Sequence, residues 1–179
     1  MTVGKPRKKK CRICKTQFHA RNSMEVVCTI ACAITLVEQN KTKESRRKKR
    51  EYYENDKATW EKRAREACHR YIRMRDDSLP CVSCWRYHTG QYHASHYRPS
   101  GVNSALRYDE RNIHKACSVC NTHKSGNLTE YRIRLAEKLG DEVVEWLDAN
   151  HEVKRWTIPE LQEVVRYYKE KIASIARTD

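Results

Sequence analysis

The chain has 179 residues, 34% charged, 39% hydrophobic and 8% aromatic, with one Phe, five Gly and a formal net charge of +14 at pH 7. That length fits one or two small domains, and so few large apolar residues exclude a large aliphatic core. The excess charge is confined to residues 1–75, which carry 22 Lys and Arg against 8 Asp and Glu, while residues 76–179 carry 15 of each. A basic arm on a neutral body points to a polyanionic partner, nucleic acid by default.

Eight of the nine cysteines form four close pairs. No N-terminal apolar segment of signal-peptide type is present, and no run approaches the ~18–20 apolar residues of a membrane span. The expected setting is a reducing cytoplasm without membrane attachment, where paired cysteines bind metal more often than they form disulfides.

Residues 1–10 are expected to be a disordered basic arm. Cys11-x2-Cys14 and Cys28-x3-Cys32 follow, with thirteen residues between the pairs. This is the spacing of a small zinc finger over 11–34, folded by its metal because so short a chain has almost no core. Residues 33–54 read as a helix leaving that finger. Lys41 to Arg50 holds seven basic residues and one acid, Glu44. No apolar stripe crosses it, so residues 35–58 are a solvated basic helix or linker. Lys41, Arg46, Arg47, Lys48, Lys49 and Arg50 are candidate phosphate contacts that supply affinity rather than sequence choice.

A second helix is predicted from about Thr59 to Arg75. Trp60, Ala64, Ala67, Tyr71 and Met74 recur on one face, and Cys68 beside them reads as a small buried residue. Pro80 ends this segment. Tyr92 to Tyr97 reads as a strand, Pro99-Ser100-Gly101 as a turn region, and Ala105 to Tyr108 as a return strand. Cys117, Cys120, Asn121 and Lys124 stand at i, i+3, i+4 and i+7, which predicts one face of a short helix ending at Gly126. The last third is helical. Asn127 and Glu130 have capping-box spacing, Gly140 is a stop, and Asp141 is a cap with Val144 and Leu147 on the face behind it. Thr157-Ile158-Pro159-Glu160 starts a final helix with Leu161, Val164, Val165, Tyr168 and Ile172 on its packing face.

The window Cys81–Lys124 carries the chemistry. Cys81, Cys84, Cys117 and Cys120 complete a tetrahedral zinc site with no open position, so this zinc is structural. An iron–sulfur cluster would use the same four thiolates. His96 lies between the knuckles. A neutral imidazole can take a proton from water near neutral pH, and a Mg²⁺ ion, which needs only one or two protein ligands, can stabilise a leaving oxygen. Asn121 offers an amide oxygen, and Lys124 can reach a phosphate. From the residues alone, His96 is equally an exposed or DNA-contacting strand histidine. His93 and His114 are weaker candidates.

The run Asn112-Ile113-His114-Lys115-Ala116-Cys117-Ser118-Val119-Cys120-Asn121-Thr122-His123-Lys124-Ser125-Gly126-Asn127, with His96-Tyr97 upstream, resembles the phage NinG (Rap) family of recombination endonucleases. The resemblance extends to the N-terminal cysteine pairs, the basic middle and Arg155-Trp156-Thr157-Ile158. The core is also similar to HNH, or ββα-metal, nucleases such as endonuclease VII. The resemblance implies an α+β, mostly α fold, with a zinc-stabilised ββα-metal or treble-clef nuclease core over 59–127 and C-terminal helices over 128–179. It implies cleavage of Holliday junctions and D-loops in a bacterial host cytoplasm. His96 would be the base, Asn112 the brace of its loop, and Asn121 a ligand of catalytic Mg or Mn. At position 95 the family's Asp is replaced by Ser. That leaves His93, a water or Asp109 to complete the metal shell, and favours Mn²⁺, which accepts imidazole more readily. Two structural zinc ions and branched DNA are the implied cofactor and partner, and symmetric junction cutting points to a homodimer.

Three other classes fit less of the chain. A zinc nucleobase deaminase needs an upstream His-x-Glu, and His69 is followed by Arg70 and Tyr71. A non-catalytic architectural DNA-binding protein explains the charge and both cysteine sets but not His96, Asn112 and Asn121. A protein-interaction module predicts binding insensitive to salt.

Overall fold

The computed structural model describes residues 7–177, and the chain divides into two compact units at Asn55/Asp56. Most of the expected basic arm, residues 1–6, lies outside the described residues. Its end does not: Arg7–Lys10 form strand β1, paired antiparallel with β2, Gln17–Ala20. The ladder uses backbone groups, so a run of basic side chains can still make a strand. Lys9 is held besides, its Nζ donating to the carbonyls of Ser23 (2.8 Å) and Glu25 (3.1 Å).

In this first unit Cys11 and Ala20 are buried, and α1, Ile30–Asn55, buries no residue along its 26 positions. Its start is set by Thr29, whose hydroxyl accepts the Cys32 N–H at 3.2 Å as an N-cap does. Beyond the finger the helix is supported by exposed pairs one turn apart, including Arg47–Glu44, Arg47–Glu51 and Arg50–Glu54. Each such pair contributes only about 0.2–0.5 kcal/mol.

The second unit is layered around a two-stranded sheet. Helix α2, Lys57–Arg75, starts at Asp56, whose carboxylate accepts from the Thr59 N–H (2.9 Å) and hydroxyl (2.5 Å). Strand β3, Tyr92–His96, pairs antiparallel with β4, Ile113–Cys117, with His96 opposite Ile113 and Tyr92 opposite Cys117. The predicted return strand at Ala105–Tyr108 is instead part of a 3-10 turn, Ser104–Tyr108, inside the loop between the strands. The true partner strand is a continuous buried run, so it shows no alternation to read. After β4 a π-helical turn, Val119–His123, leads to α3 (Leu128–Leu139), α4 (Asp141–Ala149) and α5 (Ile158–Ile175).

Strand alternation gives the sheet two faces. One packs Ala94 and Ile113 on Ala64, Cys68, Tyr71 and Ile72 of α2 and on Leu161, Val165 and Tyr168 of α5. The other packs Ala116, with neighbouring Tyr97, on Tyr131 and Leu135 of α3 and Val144 and Leu147 of α4, beside the second cysteine set. Side chains such as Ile113 and Leu135, fully out of solvent, each contribute about 1.5–3 kcal/mol on burial.

The caps follow the sequence in part. Thr157 and Glu160 form the expected capping box, and Gly140 stops α3 with its N–H on the Ala136 carbonyl. Asn127 does not cap α3 through its side chain, because its backbone is left-handed at φ 50°. Asp141 is the first residue of α4 rather than its cap.

Asp76 joins these layers. Buried at the end of α2, it accepts from the Arg75 guanidinium (2.9 and 2.8 Å), the Lys115 N–H of β4 (3.1 Å) and the Lys138 ammonium of α3 (3.2 Å). Arg75 also donates to the carbonyls of Glu110 and Ile113. Burial disfavours the charge, but the adjacent guanidinium and ammonium outweigh it and hold the carboxyl down at about 2.

Candidate metal centres and functional site

Each cysteine set converges. The sulfurs of Cys11, Cys14, Cys28 and Cys32 lie within 4.8 Å of one another, as do those of Cys81, Cys84, Cys117 and Cys120. A tetrahedral ZnS₄ centre with bonds of about 2.3 Å has sulfurs about 3.8 Å apart. The Cys14–Cys28 and Cys28–Cys32 separations are 3.4 and 3.8 Å. Both sets could therefore hold a metal ion such as zinc.

The two knuckles repeat the same backbone geometry. The Cys11 N–H donates to the Thr16 carbonyl and the Cys81 N–H to the Arg86 carbonyl, five residues on in each case. The residue after each second cysteine, Lys15 or Trp85, has positive φ (64° and 54°) and returns its N–H to the first cysteine's carbonyl. This turn aims amides at sulfur. Burial opposes thiolate at both first cysteines, yet the N–H groups of Cys14, Cys28 and Ile13 draw Cys11 down to about 6. Those of Cys117, Cys84 and Ser83 likewise lower Cys81. Thiolate is the metal-binding form. His88 adds a contact in the second set, its Nε2 lying 3.1 Å from the Cys84 sulfur.

The expected helical face Cys117–Cys120–Asn121–Lys124 is altered. Cys117 ends a strand, and the turn after it has a π-helical i→i+5 bond from the Lys124 N–H to the Val119 carbonyl. Cys120 is buried, Asn121 half-buried and Lys124 exposed. The Asn121 side-chain amide has no hydrogen-bond partner among the described residues.

His96 sits at the end of β3 on the face toward α2. Its Nε2 is 3.0 Å from the Arg107 carbonyl, an acceptor only, so this nitrogen carries the proton. Nδ1 is left with its lone pair. Burial lowers the His96 pKa, the carbonyl contact opposes that, and the Arg107 charge lowers it further, so the ring is neutral near pH 7. His69 of α2 meets it edge-on, with ring centroids 5.6 Å apart. Burial, then the neighbouring His96, pushes His69 down to about 4. A cavity of about 330 Å³ opens here, with Glu61, Lys62, Arg65, Ser100 and Arg107 among its walls.

Asn112 fixes the loop that carries the Arg107 carbonyl. Fully buried, it accepts the Arg98 N–H at 2.7 Å and donates to the carbonyls of Arg98 (3.0 Å) and Leu106 (3.1 Å).

The structure does not gather every candidate around His96. Ser95 and His93 lie on the opposite face of β3 by alternation, and the Ser95 carbonyl there accepts the Tyr131 hydroxyl at 2.9 Å. His114 shares that face, 3.4 Å from the same hydroxyl, and burial followed by the Lys138 charge lowers it to about 3. Asp109 is held by Arg111 at 2.6 to 3.0 Å. Among the described residues His93, Asn121 and Asp109 do not line the His96 cavity. Lys41, Arg46, Arg47, Lys48, Lys49 and Arg50 are exposed along α1.

Sequence reasoning missed His69, Arg65 and Arg107. His69 lies on the polar side of α2, where charged residues carry no periodic signal, and Arg107 meets His96 through a carbonyl that any residue would supply.

Among the described residues no helix is long and apolar enough to cross a membrane. No solved structure matches the chain. Residues 3–178 match the family model described as Bacteriophage Lambda NinG protein. The chain is similar to Protein ninG of Enterobacteria phage H19B, 38% identical over 182 residues, with 90% of each chain covered. Protein ninG of Escherichia phage 933W is 36% identical over 193 residues, covering 97% of this chain and 96% of the relative. That of Escherichia phage lambda is 33% identical over 195 residues, with the same coverage. A match spanning nearly every residue, both cysteine sets included, places this chain in the phage NinG family.

Proposed function

We propose that this protein is a structure-selective DNA endonuclease, hydrolysing phosphodiester bonds in branched recombination intermediates such as Holliday junctions and D-loops. The observation that carries this reading is the state of His96: a neutral ring, its Nε2–H bound to the Arg107 carbonyl, facing a cavity walled by cations. That tautomer leaves Nδ1 to take the proton from an attacking water. Arg65, Arg107 and Lys62 offer positive charge where a phosphate would sit. Asn112, by clamping residues 98 and 106, keeps the Arg107 carbonyl in place and so positions the base.

A bound Mg²⁺ or Mn²⁺ would stabilise charge on the leaving oxygen. Within the cavity wall the Glu61 carboxylate is the oxygen donor that suits such an ion, whereas Asn121, outside that wall, is not gathered beside His96 as the sequence suggested. His93, on the other face of the sheet, is a poorer ligand than the sequence suggested. The two cysteine sets, with zinc bound, serve the scaffold.

One observation favours a second reading, an architectural protein that binds branched DNA without cutting it. Ser95 is buried and carries no carboxylate beside His96. Cleavage of a labelled four-way junction and its matching linear duplex separates the two, comparing wild type and His96→Ala with Mg²⁺, Mn²⁺ and EDTA. The nuclease reading expects metal-dependent cutting of the junction, reduced by about 10²–10⁴-fold in His96→Ala while binding persists. Tight binding with no cutting in either metal would replace it with the architectural reading.

A further inference from the structure

The cations of the second unit fall into two groups. Many are committed: Arg75 to Asp76, Arg111 to Asp109, Arg166 to Glu163, Lys171 to Glu110. Arg65, Arg70 and Arg73 of α2 and Lys169 of α5 are all exposed, and among the described residues none has a carboxylate within ion-pair distance. Charges left without counter-ions on a folded surface are free to meet an external anion.

These four are not scattered. A concavity of about 620 Å³ between α2 and α5 is lined by all of them. It shares Arg65 and His69 with the His96 cavity, and Arg70 and Arg73 with a third hollow of about 400 Å³ that reaches Tyr92 and Lys115. These shared walls set the three side by side as a trough along α2, with His96 near one end, and the acidic residues lining it are Glu61, Glu66 and Asp77. From Arg65 to Arg73 the helix rises about 12 Å. That length matches three to four phosphates at about 3.4 Å of axial rise per nucleotide of one strand. Trp60, with the Arg63 guanidinium 4.6 Å from its ring centre, adds an aromatic wall.

We infer that this trough is a binding surface for the sugar–phosphate backbone of a nucleic acid, with Arg65, Arg70, Arg73 and Lys169 as its phosphate contacts, and that it guides a strand to His96. The inference rests on the endonuclease reading for its destination but not for the binding itself. It differs from the basic stretch of α1 in being concave and in adjoining a neutral imidazole pair. The contacts are to backbone charge, so they carry affinity and register rather than base preference.

The test is equilibrium binding of a labelled four-way DNA junction at several salt concentrations, without added Mg²⁺ or Mn²⁺. The full-length chain is compared with the triple variant Arg65→Gln, Arg70→Gln, Arg73→Gln and, separately, with Lys169→Gln. All four side chains are exposed, and metal content and thermal melting confirm that each variant is folded. The expected result is weaker binding and a plot of log affinity against log salt shallower by about 0.9 per lost contact, so about 2.7 for the triple variant. Unchanged affinity and slope in a folded triple variant would overturn the inference and leave the trough to an acidic protein surface. Trough-dependent binding with no cutting by wild type in either metal would uphold the inference while defeating the endonuclease reading.

Discussion

At the residue scale, three histidines near the sheet are kept from protonating by burial. His69 and His114 are lowered to about 4 and about 3, and His96 is lowered as well. In the unfolded chain an imidazole takes up its proton near pH 6.5. Between there and the folded values the unfolded state binds more protons, so stability falls as the pH falls. These groups cost nothing above about pH 6.5. Their destabilising effect grows below it and is complete once the pH has passed the folded values. In NMR titrations from pH 8 to 5, the ring signals of His69 and His114 should therefore hardly move, whereas an exposed histidine titrates fully. A His69 midpoint near 6.5 would show its ring to be solvated and would reopen the geometry of the His69–His96 pair. None of this was legible beforehand, since a histidine's pKa depends on which neighbours the fold brings to it.

At the element scale, patterning located what periodicity governs and missed what backbone geometry governs. The face of α5, the Cys68 burial and the Thr157 capping box follow from spacing, while on α2 the buried face is Ala64, Cys68, Tyr71 and Ile72, turned from the predicted stripe so that Trp60, Ala67 and Met74 are only half-buried. The strand pairing does not follow from spacing. Ala105–Tyr108 has the composition of a strand, yet Asn112 gathers that loop into tight turns and leaves Ile113–Cys117 to pair with β3. The π-helical turn after Cys117 was hidden for the same reason, because its widened spacing leaves no periodic trace. The first unit gives the sharpest consequence. Among the described residues of this unit only Cys11 and Ala20 are buried, so little but a metal on the four cysteines can hold β1, β2 and the start of α1 together. Stripping metal with a chelator and a mercurial reagent should release two equivalents of zinc. Limited proteolysis should then cut residues 11–32 first, while the α2–α5 core resists. A first unit that stays protected without metal would contradict this account.

For the whole molecule, the charge split read from the sequence has a structural counterpart. Residues 76–179 balance their charges, many of them by pairing, while the second unit's excess positive charge comes from α2, whose arginines belong to the basic first 75 residues and include Arg65, Arg70 and Arg73 with no carboxylate partner among the described residues. The buried keystone Asp76 carries a different implication. One carboxylate touches the last turn of α2, the backbone of β4 and a side chain of α3, and so ties the helical layers on the two faces of the sheet to each other. Folding in this unit should consequently be a single cooperative event rather than two. Wild type should exchange the amides of α2, α3 and α5 through one common opening, and in Asp76→Asn exchange in α3 should become faster than in α2 and α5. The keystone thus gives a chain with two small cores the unfolding behaviour of a chain with one.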